Sequence, residues 1–451
     1  MNALKQYTDL YAEHGDLLRS KSCEVLNAHR EQAYTDLKNM ALPAKGSENF
    51  EITDLEELLA PNYALNIARV PLDVNPSATF RCEVPNLSTA LFMLLNDSWA
   101  ETDISRRQLP DGVIVDSLSH AAATMPELVS RYYNRLADPA NPLCSLNTML
   151  AQDGLFLYVP AGVRLEKPLQ LVDILNYQVP LLTVRRMLIV LEEDAEARLL
   201  VCDHTQTPGV DLLNLQTIEI FAGPRSRFDF YDLEESTAQT VRLSSLYLRQ
   251  GAGSNVLVDG ITLFNGITRN EYYCSLPEPD AELHLLGMGI EDTSRRLDTY
   301  SLIRHEAQRC KSDELFKYVV DEESQGAFSG RIYVAPGASK TEAYQANRNI
   351  VGSDEARMYS KPQLEIYNDD VKCSHGTAIG QLDARQVFYM RTRGLSEETA
   401  RMLLKQAFMA DVIEGVRLPS LRDRLHQLVE MRFNGASGAC QACHGDACGV
   451  K

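Results

Sequence analysis

The feature that most constrains the fold is a long series of short strand-like segments between residues 155 and 367. The segments are rich in β-branched and aromatic residues and are separated by Gly, Pro, Asp or Asn, as β-strands joined by turns are. The segments are LFLYV, LQLVDI, RMLIVL, ARLLVC, QTIEIF, RFDFYD, VRLSSLYLR, SNVLVDGITLF, AELHLLGMGI, RIYV and QLEIY. No helix-length pattern interrupts the series, which excludes alternating β-α-β units and leaves a sandwich, a barrel or a parallel solenoid.

Two observations favour the solenoid. The number of strand-like segments exceeds what one sandwich normally holds. The stretches YVPAGV (158–163) and YVAPGA (333–338) also repeat one strand-then-turn pattern. Because the end of a stacked β-helix carries backbone groups without partners, it needs a cap or a partner strand. The helical segments at the two ends of the chain are candidates for that cap.

Helical patterns occupy the N-terminal part of the chain. Polar helix formers dominate residues 8–40, and apolar residues recur at helical spacing over 120–138. A short helix is expected at 90–95, after a polar, proline-containing loop. We therefore expect an N-terminal helical region over residues 1–152.

Two further helices are expected after residue 383. Ser396 is a suitable N-cap for the first, and Gly415 is its expected stop. The second begins near Pro419, with Leu421, Leu425 and Leu428 on one face. The apolar stripe predicted for the first helix consists of Ala400, Leu403, Leu404, Ala407, Phe408 and Val412. The chain thus divides into a helical region (1–152), a β-rich core (153–383), a C-terminal helical domain (384–433) and a flexible, cysteine-containing tail (434–451).

Charge and hydropathy narrow the function classes. Lys and Arg number 44 against 62 Asp and Glu, which gives a formal net charge of −18. This excess of acid disfavours nucleic acid and anionic lipid as partners. No segment approaches the ~20 apolar residues of a membrane span, and the N-terminus lacks the apolar stretch of a secretion signal. A cytoplasmic location is expected.

The cysteines indicate a reducing compartment. Seven of the ten are scattered singly, which argues against a disulfide framework. The tail holds the other three together with a histidine: Cys440, Cys443, His444 and Cys448. Both a loosely bound soft metal and the absence of any chemical role remain open for these four residues.

The stretch NDDVKCSHGTAIG (368–380) carries the candidate metal ligands. In an extended strand, Val371, Cys373 and His375 share one face, with the last two about 6.6 Å apart along the backbone. A thiolate and an imidazole that point the same way supply half of the usual four-ligand set of zinc or an iron–sulfur unit. From the residues alone, a last strand with a buried cysteine and a turn histidine before Gly376 remains an alternative.

The same stretch carries a family resemblance. LEIYNDDVKCSHGTAIGQLD, followed by FYMRTRG, resembles the C-terminal signature of the SufB/SufD family, the paired scaffold proteins of the Suf iron–sulfur cluster assembly system. YVPAGVRLEKPLQL and FSGRIYVAPGASKTEAYQANRNI also occur in family order, so the similarity covers roughly residues 80–433. The N-terminal region lacks the cysteine-rich motif expected of SufB, which makes the chain most similar to SufD. The tail cysteines lie outside the family pattern.

The resemblance implies a fold and a function. The fold would be mainly β, a right-handed parallel β-helix core flanked by N- and C-terminal α-helical domains. The function would be that of a noncatalytic scaffold subunit that pairs with a SufB-like subunit through the β-helix ends and docks a SufC-like ATPase through its C-terminal helices. Cys373 and His375 would face the partner and share a transient iron or iron–sulfur cluster with it. A homodimer of the isolated chain and the participation of a flavin stay open.

Two alternatives remain. The chain could be a SufB-like subunit that itself carries the main cluster site, although the missing cysteine motif argues against this. It could also be a β-solenoid enzyme unrelated to metal, but no GxSxG nucleophile elbow occurs. His204, His284 and His305 lie in or beside strand-like segments, and we expect them to be packed or surface residues rather than catalysts.

Overall fold

The computed structural model describes residues 3–70, 89–100 and 109–435. The helices in these ranges are α1 (Ala3–Ser20), α2 (Glu24–Asn27), α3 (Arg30–Asn39), α4 (Leu55–Leu59), α5 (Leu118–Thr124), α6 (Pro126–Tyr132), α7 (Pro142–Leu150), α8 (Ala384–Thr392), α9 (Glu397–Gly415) and α10 (Pro419–Phe433). The strands are β1 (Ala90–Leu95), β2 (Ser98–Ala100), β3 (Ile114–Ser117), β4 (Asp153–Val159), β5 (Leu169–Leu175), β6 (Leu181–Leu191), β7 (Glu196–Thr205), β8 (Leu212–Ala222), β9 (Arg227–Glu235), β10 (Thr240–Gln250), β11 (Asn255–Phe264), β12 (Ile267–Leu276), β13 (Glu282–Glu291), β14 (Arg296–His305), β15 (Lys311–Val320), β16 (Gln325–Val334), β17 (Thr341–Val351), β18 (Arg357–Ile366) and β19 (Val371–Gly380).

The strands form two long sheets. One has the order β19-β17-β15-β13-β11-β9-β7-β5-β1-β2, and the other has the order β18-β16-β14-β12-β10-β8-β6-β4-β3. From β4 onward, consecutive strands alternate between the sheets, and neighbours within each sheet run parallel. The result is a parallel β-helix of about eight turns with helices at both termini. The predicted mainly β fold is confirmed.

The interior of the β-helix is partly apolar and partly charged. Ile189, Phe230 and Phe316 belong to one continuous apolar cluster between the sheets. Arg185 lies two positions before Met187 of the same cluster, so it projects into the interior as well. A buried charge of this kind requires compensating partners, and Arg185 has them in two carboxylates.

The terminal helices cover the outer faces of the two sheets. On the nine-stranded sheet, Leu182 and Val184 pack with residues of α1 and α7. On the ten-stranded sheet, Met409, Val412 and Ile413 of α9 pack over the outer side of the strands. Because both faces of the central strands are covered, β6 is buried at every position and shows no alternation of polar and apolar residues.

The helices therefore do not cap the β-helix in the way that the sequence suggested. Among the described residues, the helical segments pack on the faces of the sheets, and the turn formed by β18 and β19 has no further strand beyond it. None of the described helices combines the length and apolar character that a bilayer span needs.

The N-terminal region differs from the helical prediction. Residues 90–95 form strand β1, which pairs in parallel with β5 and places Phe92 beside Leu171. A short apolar run has no period that distinguishes a helix from a buried strand, and here pairing with the sheet decides the outcome. The helix expected over 120–138 is interrupted at Met125, because Pro126 disfavours helical backbone in the residue before it.

The C-terminal helices begin and end largely as predicted. Ser396 Oγ accepts a hydrogen bond from the Thr399 N–H at 3.0 Å, and α9 ends at Gly415. A Cβ atom at Gly415 would lie 2.4 Å from Leu286 Cδ1, so glycine allows the helix end to approach the sheet. Pro419 is the first residue of α10.

The predicted apolar stripe of α9 is wrong in detail. Leu403 and Ala407 are exposed, whereas the buried positions are Ala400, Met409, Val412 and Ile413. The C-terminal half of α9 contacts both the sheet and α10, which shifts the buried face away from the predicted stripe. Residues 436–451, with Cys440, Cys443, His444 and Cys448 of the tail, lie outside the described residues.

A candidate metal centre at the last turn of the β-helix

The last turn of the β-helix consists of β18 and β19. Each of these strands pairs with one neighbour only, β16 and β17 respectively, so each leaves one edge bare within the described chain. Most of β19 is exposed, whereas the strands of the central turns are mainly buried. Ile366, Tyr367 and Ile379 are among the exposed large apolar side chains. The uncovered edges of these two strands, together with the exposed apolar side chains, form a surface suited to pairing with a strand of another chain or to another protein contact.

Cys373 and His375 lie in this turn. Cys373 pairs in register with Ala343 and packs, half-buried, against the interior apolar cluster. Thr377 donates a hydrogen bond to Ser360 on the opposite sheet, so it also points into the interior. His375 stands between these two residues at even spacing and therefore projects to the same side. It is exposed, because no later turn covers it within the described residues.

The thiol of Cys373 is held mainly in its neutral form. Burial raises its pKa, and a hydrogen bond from the backbone of Ala343 offsets part of that effect. Since the thiolate is the form that ligates metal, binding of a metal here would release a proton.

The two side chains do not complete a coordination sphere in this chain. Among the described residues, no three His, Cys, Asp or Glu side chains converge in an arrangement that could hold a metal ion. A thiolate and an imidazole suit iron or zinc, but such sites normally take about four ligands. The pair therefore fits a metal only if further ligands come from outside these residues.

Two polar residues beneath His375 were missed by the sequence reasoning. Glu314, Gln345 and His375 occupy consecutive register positions on β15, β17 and β19. Glu314 and Gln345 are buried. Alternate residues of a strand point inward, so the inward direction of Glu314 and Gln345 can be deduced within each strand. The turns between strands differ in length, so the sequence does not show which residues of successive turns lie beside one another.

The other histidines lie on other turns. His305 is buried, and burial lowers its pKa to about 4. His204 is also buried, and burial lowers its pKa as well. His284 is half-buried, with its Nε2 atom 3.0 Å from Glu282 Oε1. They are packed or partly covered residues, as predicted.

Two family models match the chain. Residues 175–408 match the model described as SUF system FeS cluster assembly, SufBD core domain, which covers more than half of the chain and includes Cys373 and His375. Residues 1–171 match the SufBD protein N-terminal region. The chain belongs to the SufBD family. The match starts at residue 1, well before the expected start near residue 80.

Relatives within the SufBD family resemble the chain over most of its length. An iron–sulfur cluster assembly SufBD family protein of Synechocystis sp. is 29% identical over 416 residues, which cover 90% of this chain and 91% of the relative. The iron–sulfur cluster assembly protein SufD of Escherichia coli is 27% identical over 454 residues, covering 97% and 98%. The chloroplastic protein ABCI7 of Arabidopsis thaliana is 27% identical over 335 residues, covering 72% and 70%. Within the family the chain is SufD-like.

Proposed function

We propose that this chain is a noncatalytic scaffold subunit of the Suf iron–sulfur cluster assembly complex. Membership of the SufBD family and full-length similarity to a SufD protein support the pathway. The observation that carries the proposal is the exposed last turn, in which Cys373 and His375 share one face and the described residues around them do not complete a metal site.

A SufB-like subunit is the proposed partner at this turn. Among the described residues, the outer edges of β18 and β19 have no paired strand, and Ile366 and Ile379 beside them are exposed. Covering such an edge with the matching edge of a related β-helix would satisfy the backbone groups and bury the apolar side chains. The partner would also bring the missing ligands.

The cargo of the shared site is a transient iron ion or iron–sulfur cluster. Ligands divided between two subunits are brought together or separated by small rigid-body movements. A site that assembles in this way can hold a cluster and then release it, which an enclosed four-ligand site does poorly. Cys373 and His375 are the residues that this chain contributes.

The C-terminal helical domain, residues 384–433, is the proposed docking surface for a SufC-like ATPase. Its inner side is anchored on the β-helix through Met409 and Val412. Its outer side exposes Phe388, Tyr389 and Leu403. An ATPase held there could transmit its conformational changes to the attached β-helix and so to the last turn.

Co-expression with a SufB-like and a SufC-like protein tests the assembly. We expect the three proteins to purify as one complex, and recovery of this chain alone would contradict the proposal. Ile379→Asp should remove the SufB-like protein and retain the ATPase, because it places a charge in the bare edge. Val179→Asp is the matched control, since both side chains are 48% exposed but Val179 lies far along the chain from the last turn.

A further inference from the structure

A buried polar pair lies directly beneath His375. Glu314 on β15 is in register with Gln345 on β17, and Gln345 is in register with His375 on β19. Neighbouring strands of a sheet lie about 4.8 Å apart, so the three side chains form a short inward stack. Gln345 Nε2 donates a hydrogen bond to Glu314 Oε2 at 2.7 Å.

The other end of the Gln345 amide has no partner in the described structure. Gln345 is only 3% exposed, and its Oε1 atom makes no hydrogen bond to any described residue. A buried carbonyl oxygen without a donor costs about 1–3 kcal/mol, so such an atom calls for an explanation. The next inward side chain on the neighbouring strand is that of His375, whose ring carries an N–H.

Two neighbours hold the amide in this orientation. Ser301 Oγ donates to the other carboxyl oxygen of Glu314, so the carboxyl group is fixed from both sides. Gly330 on the opposite sheet leaves the space that the amide fills. A Cβ atom there would clash with Gln345 Nε2.

We propose that Gln345 is a positioning residue for His375, with Glu314 as its support. The two groups are in register but not hydrogen-bonded in this structure, and a rotation of the exposed His375 side chain would let Gln345 Oε1 accept its imidazole N–H and so fix which ring nitrogen carries the proton. The other nitrogen then presents its lone pair to the metal cargo. Metal-ligating histidines commonly rely on such a hydrogen-bond acceptor behind the ring. The inference concerns the site of the proposed function and rests on it for the identity of the cargo.

The tautomer of His375 is the first measurement. The full-length chain, labelled with ¹⁵N-histidine, is observed by NMR at a pH at which imidazoles are neutral, and the His375 signals are assigned with His375→Ala. We expect one dominant tautomer in the natural sequence and a mixture in Gln345→Met, which keeps the size of the side chain but removes the oxygen. An unchanged tautomer ratio would overturn the proposal.

A reciprocal swap provides the rescue. In the double variant Glu314→Gln, Gln345→Glu, an amide on β15 donates to a carboxylate on β17, and an oxygen again faces His375. We expect this variant to restore the single tautomer, which a general packing defect in Gln345→Met would not predict. If Gln345→Met does not fold, Gly330→Ala displaces the amide instead, and the same mixture of tautomers is expected.

Cobalt(II) binding by the complex with the SufB-like partner is the second measurement. Loss of a hydrogen-bond partner behind a ligating histidine typically weakens metal binding 10- to 100-fold, and we expect a loss of about that size in Gln345→Met and recovery in the swap. Unchanged affinity in Gln345→Met, with affinity lost in His375→Ala, would overturn the positioning role alone. Unchanged affinity in His375→Ala would overturn the proposed metal site, and the tautomer would still decide the role of Gln345.

Discussion

Thr377 Oγ1 donates a hydrogen bond to Ser360 Oγ at 2.7 Å and so joins β19 to β18 across the interior of the last turn. Ser360 Oγ in turn donates to Asn347 Oδ1 at 2.7 Å, which links the last turn to the one before it. Each of the two strands also pairs along its length with one strand of the preceding turn, but no later turn covers the other edge in the described chain. Ser360 therefore connects both strands of the candidate site to the body of the β-helix.

Replacement of Ser360 should loosen the last turn selectively. Ser360→Ala removes both hydrogen bonds, each worth on the order of 1 kcal/mol. We expect faster amide hydrogen exchange in β18 and β19 and unchanged exchange in the central turns. Ser374→Ala, at an exposed position of β19, is the control. Equal exchange in the two variants would show that these hydroxyls do not hold the turn.

Replacement of the buried Arg185 should strongly lower the free energy of unfolding. Arg185 Nη1 donates to Asp173 Oδ2 and Asp203 Oδ1, both at 2.7 Å, and all three side chains are buried. Arg185→Met leaves the buried Asp173 without its arginine partner, whereas Asp203 keeps an ion pair with Arg242 at 3.1 Å, and we expect a loss of about 3–5 kcal/mol in the free energy of unfolding. Chemical denaturation measures this loss.

Arg225 is the matched control for that experiment. It forms comparable ion pairs with Glu193 and Asp194, but these are exposed at the surface. Arg225→Met should leave the free energy of unfolding unchanged within error, because exposed pairs contribute little. An equal loss of unfolding free energy in Arg185→Met and Arg225→Met would contradict the claim that burial makes the Arg185 ion pairs important for stability.

Asp259 should make the folded chain less stable at alkaline pH. Burial raises its pKa to about 8, and neither carboxyl oxygen has a hydrogen-bond partner among the described residues. The native state thus retains a proton that the unfolded chain has lost, and the resulting stability is present at acidic pH and lost as the pH rises through about 8. Asp259→Asn should raise the melting temperature at pH 9 and change it little at pH 4.5. The exposed Asp423→Asn serves as control, and equal effects at both pH values would refute the prediction.

Local chemistry predicted the C-terminal helices better than it predicted the strands. The start and end of a helix depend on contacts within one helical turn. The roles of Ser396, Gly415 and Pro419 could therefore be predicted from the neighbouring residues in the sequence. Strands β12, β14, β15 and β17 were absent from the predicted segments. They carry inward polar residues, such as Asn270 and Glu314, which find partners only when the turns stack.

The candidate site was likewise only partly predictable from the sequence. Because alternate residues of a strand share one face, the sequence alone predicted that Cys373 and His375 lie on the same side. The structure places both on the interior side of the last turn. Gln345 and Glu314 could not be assigned to that site, because their position depends on the register between strands distant in sequence. The segment 90–95 became a strand for a similar reason, since β5 supplies its partner.

The exposed side of α9 should matter for binding of the ATPase. Leu403 is 36% exposed, and Leu403→Asp places a charge on the proposed docking surface without disturbing the buried side of the helix. We expect loss of the SufC-like ATPase from the purified complex and retention of the SufB-like subunit. Leu17→Asp, at a 41% exposed position of α1, should retain both proteins. Loss of the ATPase in both variants, or in neither, would argue against this surface.

The most direct test of the central claim is anaerobic iron–sulfur cluster assembly by the complex that contains His375→Ala. Ser374→Ala is the matched control, because it alters the neighbouring residue on the opposite face of the strand. If Cys373 and His375 complete a shared site, His375→Ala should lose cluster assembly while the complex stays intact, and Ser374→Ala should keep it. Normal cluster assembly by the intact His375→Ala complex would contradict the account.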